Sequence, residues 1–139
     1  MVSQKTILIA EDDDFLAKAY QIKLTNLGYK VVIVANGEAV LSYLKENPPP
    51  NLIILDLIMP QKDGFETLAE LKKEERFKKI PVVIVSNLSQ EEDIKKAKDL
   101  GALDFLVKSS LSLSEIAQKI EGFLKKNFKV EKEEKKTLL

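Results

Sequence analysis

Leu52-Ile53-Ile54-Leu55-Asp56, four apolar residues closed by an acid, is the stretch on which the reading of this chain turns. A run this short has the length of a strand, and its lack of polar alternation suits a strand covered by helices on both faces. Similar short runs lie at Thr6 to Ala10, Val31 to Val34, Val82 to Val85 and Asp104 to Val107. Amphipathic stretches fill the gaps between them, and that alternation is the pattern of parallel βαβ units. The expectation is an α/β domain of five βα units.

The intervening stretches carry helical spacing. Phe15, Ala19 and Ile22, with Leu16, Tyr20, Leu24 and Leu27, step at three and four residues and predict one buried stripe, ended by Gly28. Val40, Leu41 and Leu44 predict a short second helix, stopped by Pro48, Pro49 and Pro50. Phe65, Leu68, Ala69 and Leu71 mark a third. Ser89 with Glu92, and Ser112 with Glu115, have capping-box spacing. They predict the starts of a fourth helix carrying Ile94, Ala97 and Leu100 before Gly101, and a fifth carrying Ile116, Ile120, Phe123 and Leu124. Beyond about Asn127 a Lys and Glu run leads to Leu138 and Leu139, which reads as a frayed helix end or solvated tail. The expected division is a domain over 1–126 and a charged tail over 127–139.

Composition narrows the chemistry. The 139 residues suffice for one hydrophobic core and leave no room for a second folded domain. Lys+Arg and Asp+Glu both total 22, so no global basic field exists to hold nucleic acid. There is no His and no Cys. Disulfides, thiolate nucleophiles, imidazole bases and ordinary zinc sites are thereby excluded. Any chemistry must run on carboxylates, hydroxyls, Lys and a hard cation. No apolar run reaches the roughly 18 residues needed to span a bilayer, and residues 1–5 do not resemble a secretory leader, so a cytoplasmic location is expected.

In an open parallel sheet the loops leaving the carboxyl ends of the strands gather at one edge. The polar residues following the five runs fall there: Glu11 to Asp14, Asp56, Ser86 with Asn87, and Lys108. Asp13 and Asp14 are explained by a helix N-terminus, whose dipole favours acids. Glu11 and Asp12 directly follow an apolar strand and face Asp56 across the neighbouring strand end. Carboxylates so placed repel unless a cation bridges them, and oxygen ligands alone point to Mg²⁺ or Mn²⁺. Taken singly, Asp56 closing a strand is more often a turn residue, Lys108 reads equally as a solvated edge charge, and Ser86 could be an N-cap. Their convergence on one edge is what argues for a site.

At these residues the chain resembles the response-regulator receiver family of two-component signalling. The resemblance rests on Ile7-Leu8-Ile9-Ala10-Glu11-Asp12, on Leu55-Asp56-Leu57-Ile58-Met59-Pro60 with Asp63-Gly64, on Val85-Ser86, and on Phe105-Leu106-Val107-Lys108. It implies a flavodoxin-like, doubly wound (βα)5 fold with parallel strand order 2-1-3-4-5. It also implies a single-domain response regulator, a signalling switch and not an enzyme. Asp56 would accept a phosphoryl group from a sensor histidine kinase or phosphotransfer protein. The cation would be held by Asp12, Asp56, Glu11 through water, and the backbone carbonyl of Ile58. Lys108 and Ser86 would hold phosphoryl oxygens, and the ring of Phe105 would turn inward as Ser86 moves to bind a partner. Ile58 and Leu88, two residues after the Asp and the Ser, would tune dephosphorylation, and both are poor at orienting water. A phosphorylation-linked homodimer through the fourth helix, fifth strand and fifth helix is a family habit.

Three positions depart from the family pattern. Asn87 replaces the usual small residue, and Gln61-Lys62 lack the common Gly after Pro60. Ser109 replaces a Pro that relatives carry on a cis bond; a cis bond before Ser would cost about 2.5 to 4 kcal/mol and is not assumed. Two rival readings fit these residues less well. A pseudo-receiver that only docks conflicts with retention of all five chemical positions. A phosphatase of the haloacid dehalogenase type needs an acid two residues after its nucleophile, where this chain has Ile58.

Overall fold

The computed structural model describes residues 4–59 and 62–137, with side chains described up to Lys126. Pro60 and Gln61, named above in the family pattern, lie outside the described residues, as do Leu138 and Leu139. The elements alternate throughout: β1 (Thr6–Ala10), α1 (Asp14–Asn26), β2 (Lys30–Val34), α2 (Gly37–Glu46), β3 (Leu52–Leu55), α3 (Gly64–Lys73), β4 (Val82–Ser86), α4 (Glu91–Asp99), β5 (Asp104–Val107) and α5 (Leu113–Thr137). A 3₁₀ turn, Lys108–Ser110, joins β5 to α5. The five strands form one parallel sheet in the order β2-β1-β3-β4-β5, as the resemblance implied.

Strand alternation divides the core into two layers. Leu8, Ala10, Ile53, Leu55, Val82, Ile84 and Phe105 face Val40 and Leu44 of α2, Leu68 and Leu71 of α3, and Ala97 of α4. Ile7, Ile9, Leu52, Ile54, Val83, Val85 and Leu106 face Tyr20 and Leu24 of α1 and Ile116, Ile120 and Leu124 of α5. Every residue of β3 is buried because each layer takes alternate members of the run. Among the described residues, no helix is long and apolar enough to cross a membrane.

Two local expectations need correction. The α1 stripe is narrower than its spacing suggested: Ala17, Tyr20 and Leu24 are buried, whereas Phe15, Ile22 and Leu27 are 87 %, 55 % and 43 % exposed. The set Phe15, Ala19, Ile22 is offset by one residue, about 100°, from Leu16, Tyr20, Leu24, and only the latter direction points at the sheet. At α4, the Ser89–Glu92 capping box is not formed. The N-cap is Gln90, without a side-chain cap bond, and Glu91 opens the helix. The second box is made in full: Glu115 N donates to Ser112 Oγ, and Ser112 N to Glu115 Oε1. Gly28 and Gly101 take φ of 99° and 107° after α1 and α4, the left-handed region where glycine ends a helix most cheaply. α5 continues to Thr137, through part of the Lys and Glu run.

Candidate functional site

The register pairing Ala10 with Leu55 places the next residues of two adjacent strands, Glu11 and Asp56, side by side at the carboxyl edge. Asp56 N donates to Ala10 O at 3.2 Å, and Glu11 N donates to Val34 O at 3.0 Å. The chain leaves β1 toward β2 and β3 toward β4, so this is where strand order reverses and a crevice opens. Glu11 and Asp56 are buried, while Asp12 is exposed. One oxygen from each of the three carboxylates lies within 4.8 Å of the others.

Such a cluster is self-repelling, and its counter-charge comes from the far side of the sheet. Lys108, the first residue after β5, sends Nζ to within 2.6 Å of Glu11 Oε1 and 2.8 Å of Asp56 Oδ2, donating to both. The other oxygens are also met: Glu11 Oε2 accepts from Asp13 N and Asp56 Oδ1 from Ile58 N, both at 3.2 Å. Burial pushes the Glu11 carboxyl above its ordinary value, helped by the Asp56 charge and opposed by the Lys108 and Asp13 bonds. Burial pulls the Lys108 amine down, but its bonds to Asp56 and Glu11 outweigh this and raise it above an ordinary lysine. The ammonium is therefore charged at neutral pH and offsets part of the pocket's negative charge.

The remaining expected residues fall around this centre. Ser86 closes β4 fully buried, and its Oγ accepts from Leu88 N at 3.3 Å, so it caps no helix. Asp13 is the N-cap of α1, accepting from Leu16 N at 3.1 Å, and Asp14 lies in the first turn, as the dipole reading expected. Phe105 is 9 % exposed and belongs to the core layer of α2, α3 and α4. Leu88 packs against that layer, whereas Ile58 is 56 % exposed. Asn87 and Ser109 are exposed. No cis peptide bond occurs among the described residues, and Lys108 reaches both carboxylates from a trans bond to Ser109.

Gly64, named above only among the segments that carry the resemblance, has a steric part in the site. A Cβ there would lie 2.3 Å from Asp56 O and 2.7 Å from Leu57 Cα, so α3 starts directly against the backbone bearing Asp56. Gly64 N donates to Leu57 O at 3.0 Å, locking that approach. The Asp63-Gly64 pair ahead of an amphipathic stretch was the available signal; Asp63 is the N-cap of α3.

The donors converging here are carboxylate oxygens alone, hard ligands that suit Mg²⁺ or Mn²⁺. The family model described as "Response regulator receiver domain" matches residues 7–121. This chain belongs to that family. The receiver is 34 % identical over 129 residues to response regulator Rcp1 of Synechocystis sp., covering 86 % of this chain and 88 % of that protein. It is 33 % identical to the probable transcriptional regulator ycf27 of Porphyridium aerugineum, but spans only about half of that relative's length (50 %). Among solved structures, the receiver resembles the phosphorylated cyanobacterial phytochrome response regulator RcpA, with a TM-score of 0.78, 35 % identity, and coverage of 87 % and 91 % of the two chains. The Mn²⁺-bound form of Rcp1 matches with the same TM-score of 0.78, 34 % identity, and coverage of 86 % and 93 %.

Proposed function

We propose that this receiver is a phosphorylation switch whose acceptor is Asp56. The supporting observation is the convergence of Glu11, Asp12 and Asp56 within 4.8 Å, with Lys108 already bonded to two of them. Phosphoryl transfer depends mainly on positioning and charge neutralisation, which these residues supply. A carboxylate oxygen of Asp56 forms a bond to the phosphorus of a phosphohistidine on a kinase or phosphotransfer protein. The P–N bond breaks, and its electron pair stays with the imidazole. Lys108 turns from the carboxylates to a phosphoryl oxygen, and the Ser86 hydroxyl donates to another. Asp12, Asp56, the Ile58 carbonyl and, through water, Glu11 would hold a Mg²⁺ or Mn²⁺ ion, which would supply charge to offset the phosphoryl oxygens.

Readout follows from packing. Ser86 is fully buried next to a core layer that includes Phe105, so a shift of its hydroxyl changes the space available to that ring. The switched surface then binds a downstream protein, with a homodimer through α4, β5 and α5 as one outcome. In this reading residues 1–126 form the switch and 127–139 a charged extension. Incubation with acetyl phosphate and Mg²⁺ tests the assignment by mass spectrometry. One phosphoryl adduct, absent in Asp56→Asn, is expected; an equal adduct in that variant overturns it. Light scattering with and without beryllofluoride reads the dimer.

A further inference from the structure

One polar atom beneath the carboxylate edge has no role in the site as built so far. Tyr20, on α1, is 3 % exposed, and its hydroxyl has no hydrogen-bond partner among the described residues. Buried phenolic hydroxyls nearly always find one, so an orphan points to a partner met in another state of the protein.

Its position says which partner. Tyr20 packs in the layer of Ile9, Ile54 and Leu106. Those residues stand two before Glu11, Asp56 and Lys108, so strand alternation carries the three polar side chains toward the face that Tyr20 occupies. Helical side chains lean toward the N-terminus of their helix, and α1 begins at this same edge, so the ring leans back toward the site. The charges felt by the phenol agree: after burial itself, Lys108 acts on it most strongly, followed by Glu11, Asp56 and Asp13. The Lys108 ammonium carries three N–H donors, of which Glu11 and Asp56 take two. A further donor and an unused acceptor thus belong to neighbouring side chains.

We infer that Tyr20 is a positioning residue for Lys108: when the amine turns from the carboxylates to a phosphoryl oxygen, the Tyr20 hydroxyl accepts its third N–H and holds it there. This rests on Asp56 being the phosphoryl acceptor, and the experiment separates the two claims. Beryllofluoride with Mg²⁺, a phosphoryl mimic, is titrated into the wild type, Tyr20→Phe, Lys108→Ala and the double variant. Tyr20→Phe removes only the hydroxyl, and should keep the wild-type circular dichroism with an unfolding midpoint no lower than the wild type's, since the lost group has no partner in the resting protein. It should bind the mimic about three- to tenfold more weakly, the effect of one hydrogen bond. In the Lys108→Ala background the same change should cost nothing further, a coupling that a purely structural role would not produce. Equal affinity of Tyr20→Phe and wild type, or equal losses in both backgrounds, overturns the inference while leaving Asp56 as acceptor. Failure of the wild type to bind the mimic overturns both.

A second measurement does not depend on altering Tyr20. The chain has three tyrosines and no tryptophan. In a Tyr29→Phe, Tyr43→Phe chain, all tyrosine emission comes from Tyr20 and reports the environment of its hydroxyl. Emission should change on adding beryllofluoride with Mg²⁺, and no change overturns the inference.

Discussion

The Nζ of Lys108 lies 2.6 Å from Oε1 of Glu11, 97 residues away in the chain, closer than the 2.8 Å that separates it from Asp56. The lysine is thus a counter-ion to the acidic pocket as much as a partner of Asp56. Its removal leaves two buried carboxylates without a cation.

Lys108→Ala should therefore destabilise the metal-free protein by about 2 to 3 kcal/mol at neutral pH, somewhat below the cost of stripping a fully buried pair. Mg²⁺ should recover part of this loss. Urea unfolding with and without the metal reads both. A variant as stable as wild type in a chelator would mean the carboxylates are solvated well enough to need no cation.

Metal binding should appear as stability. If Mg²⁺ binds only the folded receiver, a concentration one hundred times its dissociation constant raises the unfolding free energy by about 2.7 kcal/mol. Asp12→Asn should lose most of this gain while keeping the fold, because Asp12 is the exposed member of the cluster. Differential scanning calorimetry across a Mg²⁺ titration makes the comparison. An undiminished gain in the variant would remove Asp12 from the ligand set.

How far these features were legible in sequence depended on their range. β1, β3 and β5 have the bounds expected, because each is a short apolar run with a polar residue just past its end. The Glu11 and Asp56 pairing was legible too, since parallel strands of one sheet end at one edge. On α1 the apolar pattern covers two directions, and only the sheet decides that Tyr20 and Leu24 go in while Phe15 and Ile22 stay out. Capping at Gln90 instead of Ser89 turns on backbone geometry that spacing does not encode. The bond from Lys108 to Glu11 was not legible, because it depends on a long side chain reaching across two strands. The Tyr20 hydroxyl was hidden for a related reason: helical periodicity counts the ring and ignores its tip.

Gly64 sets where Asp56 stands. A methyl group 2.3 Å from Asp56 O meets backbone, which cannot yield by rotating a side chain. Gly64→Ala should cost about 2 to 3 kcal/mol, in the range of overpacking, and slow phosphorylation by acetyl phosphate as the Asp56 loop is pushed aside. Denaturant melts with the rate of adduct formation check it. Unchanged values for both would show that α3 can shift without disturbing the site.

Tyr20 should make the fold sensitive to alkali. Burial pushes its phenol up to about 12 from an ordinary 10, with Lys108 drawing it down and Glu11, Asp56 and Asp13 adding to the rise. Because the folded value is the higher one, this contribution is complete below pH 10 and is lost as pH rises through 12. The loss is on the order of 2 kcal/mol. The stability difference between wild type and Tyr20→Phe should shift by that amount across the interval, with Phe favoured at the alkaline end. A constant difference from pH 9 to 12 would mean that the phenol is solvated on folding.

Dephosphorylation should be slow, and Ile58 is the place to change it. Hydrolysis of the aspartyl phosphate needs a water held in line with the phosphorus, and a side chain can hold one only through a hydrogen bond. Ile58 and Leu88 offer none. Ile58 is 56 % exposed, so a polar replacement there leaves the core intact, whereas Leu88 packs against it. Ile58→Asn should hasten loss of the phosphoryl group by about tenfold, equivalent to about 1.4 kcal/mol of barrier. The decay of the phosphorylated mass after removal of acetyl phosphate, with Mg²⁺ present, gives the rate. A wild-type half-life of seconds, or no acceleration in Ile58→Asn, would place control of hydrolysis elsewhere.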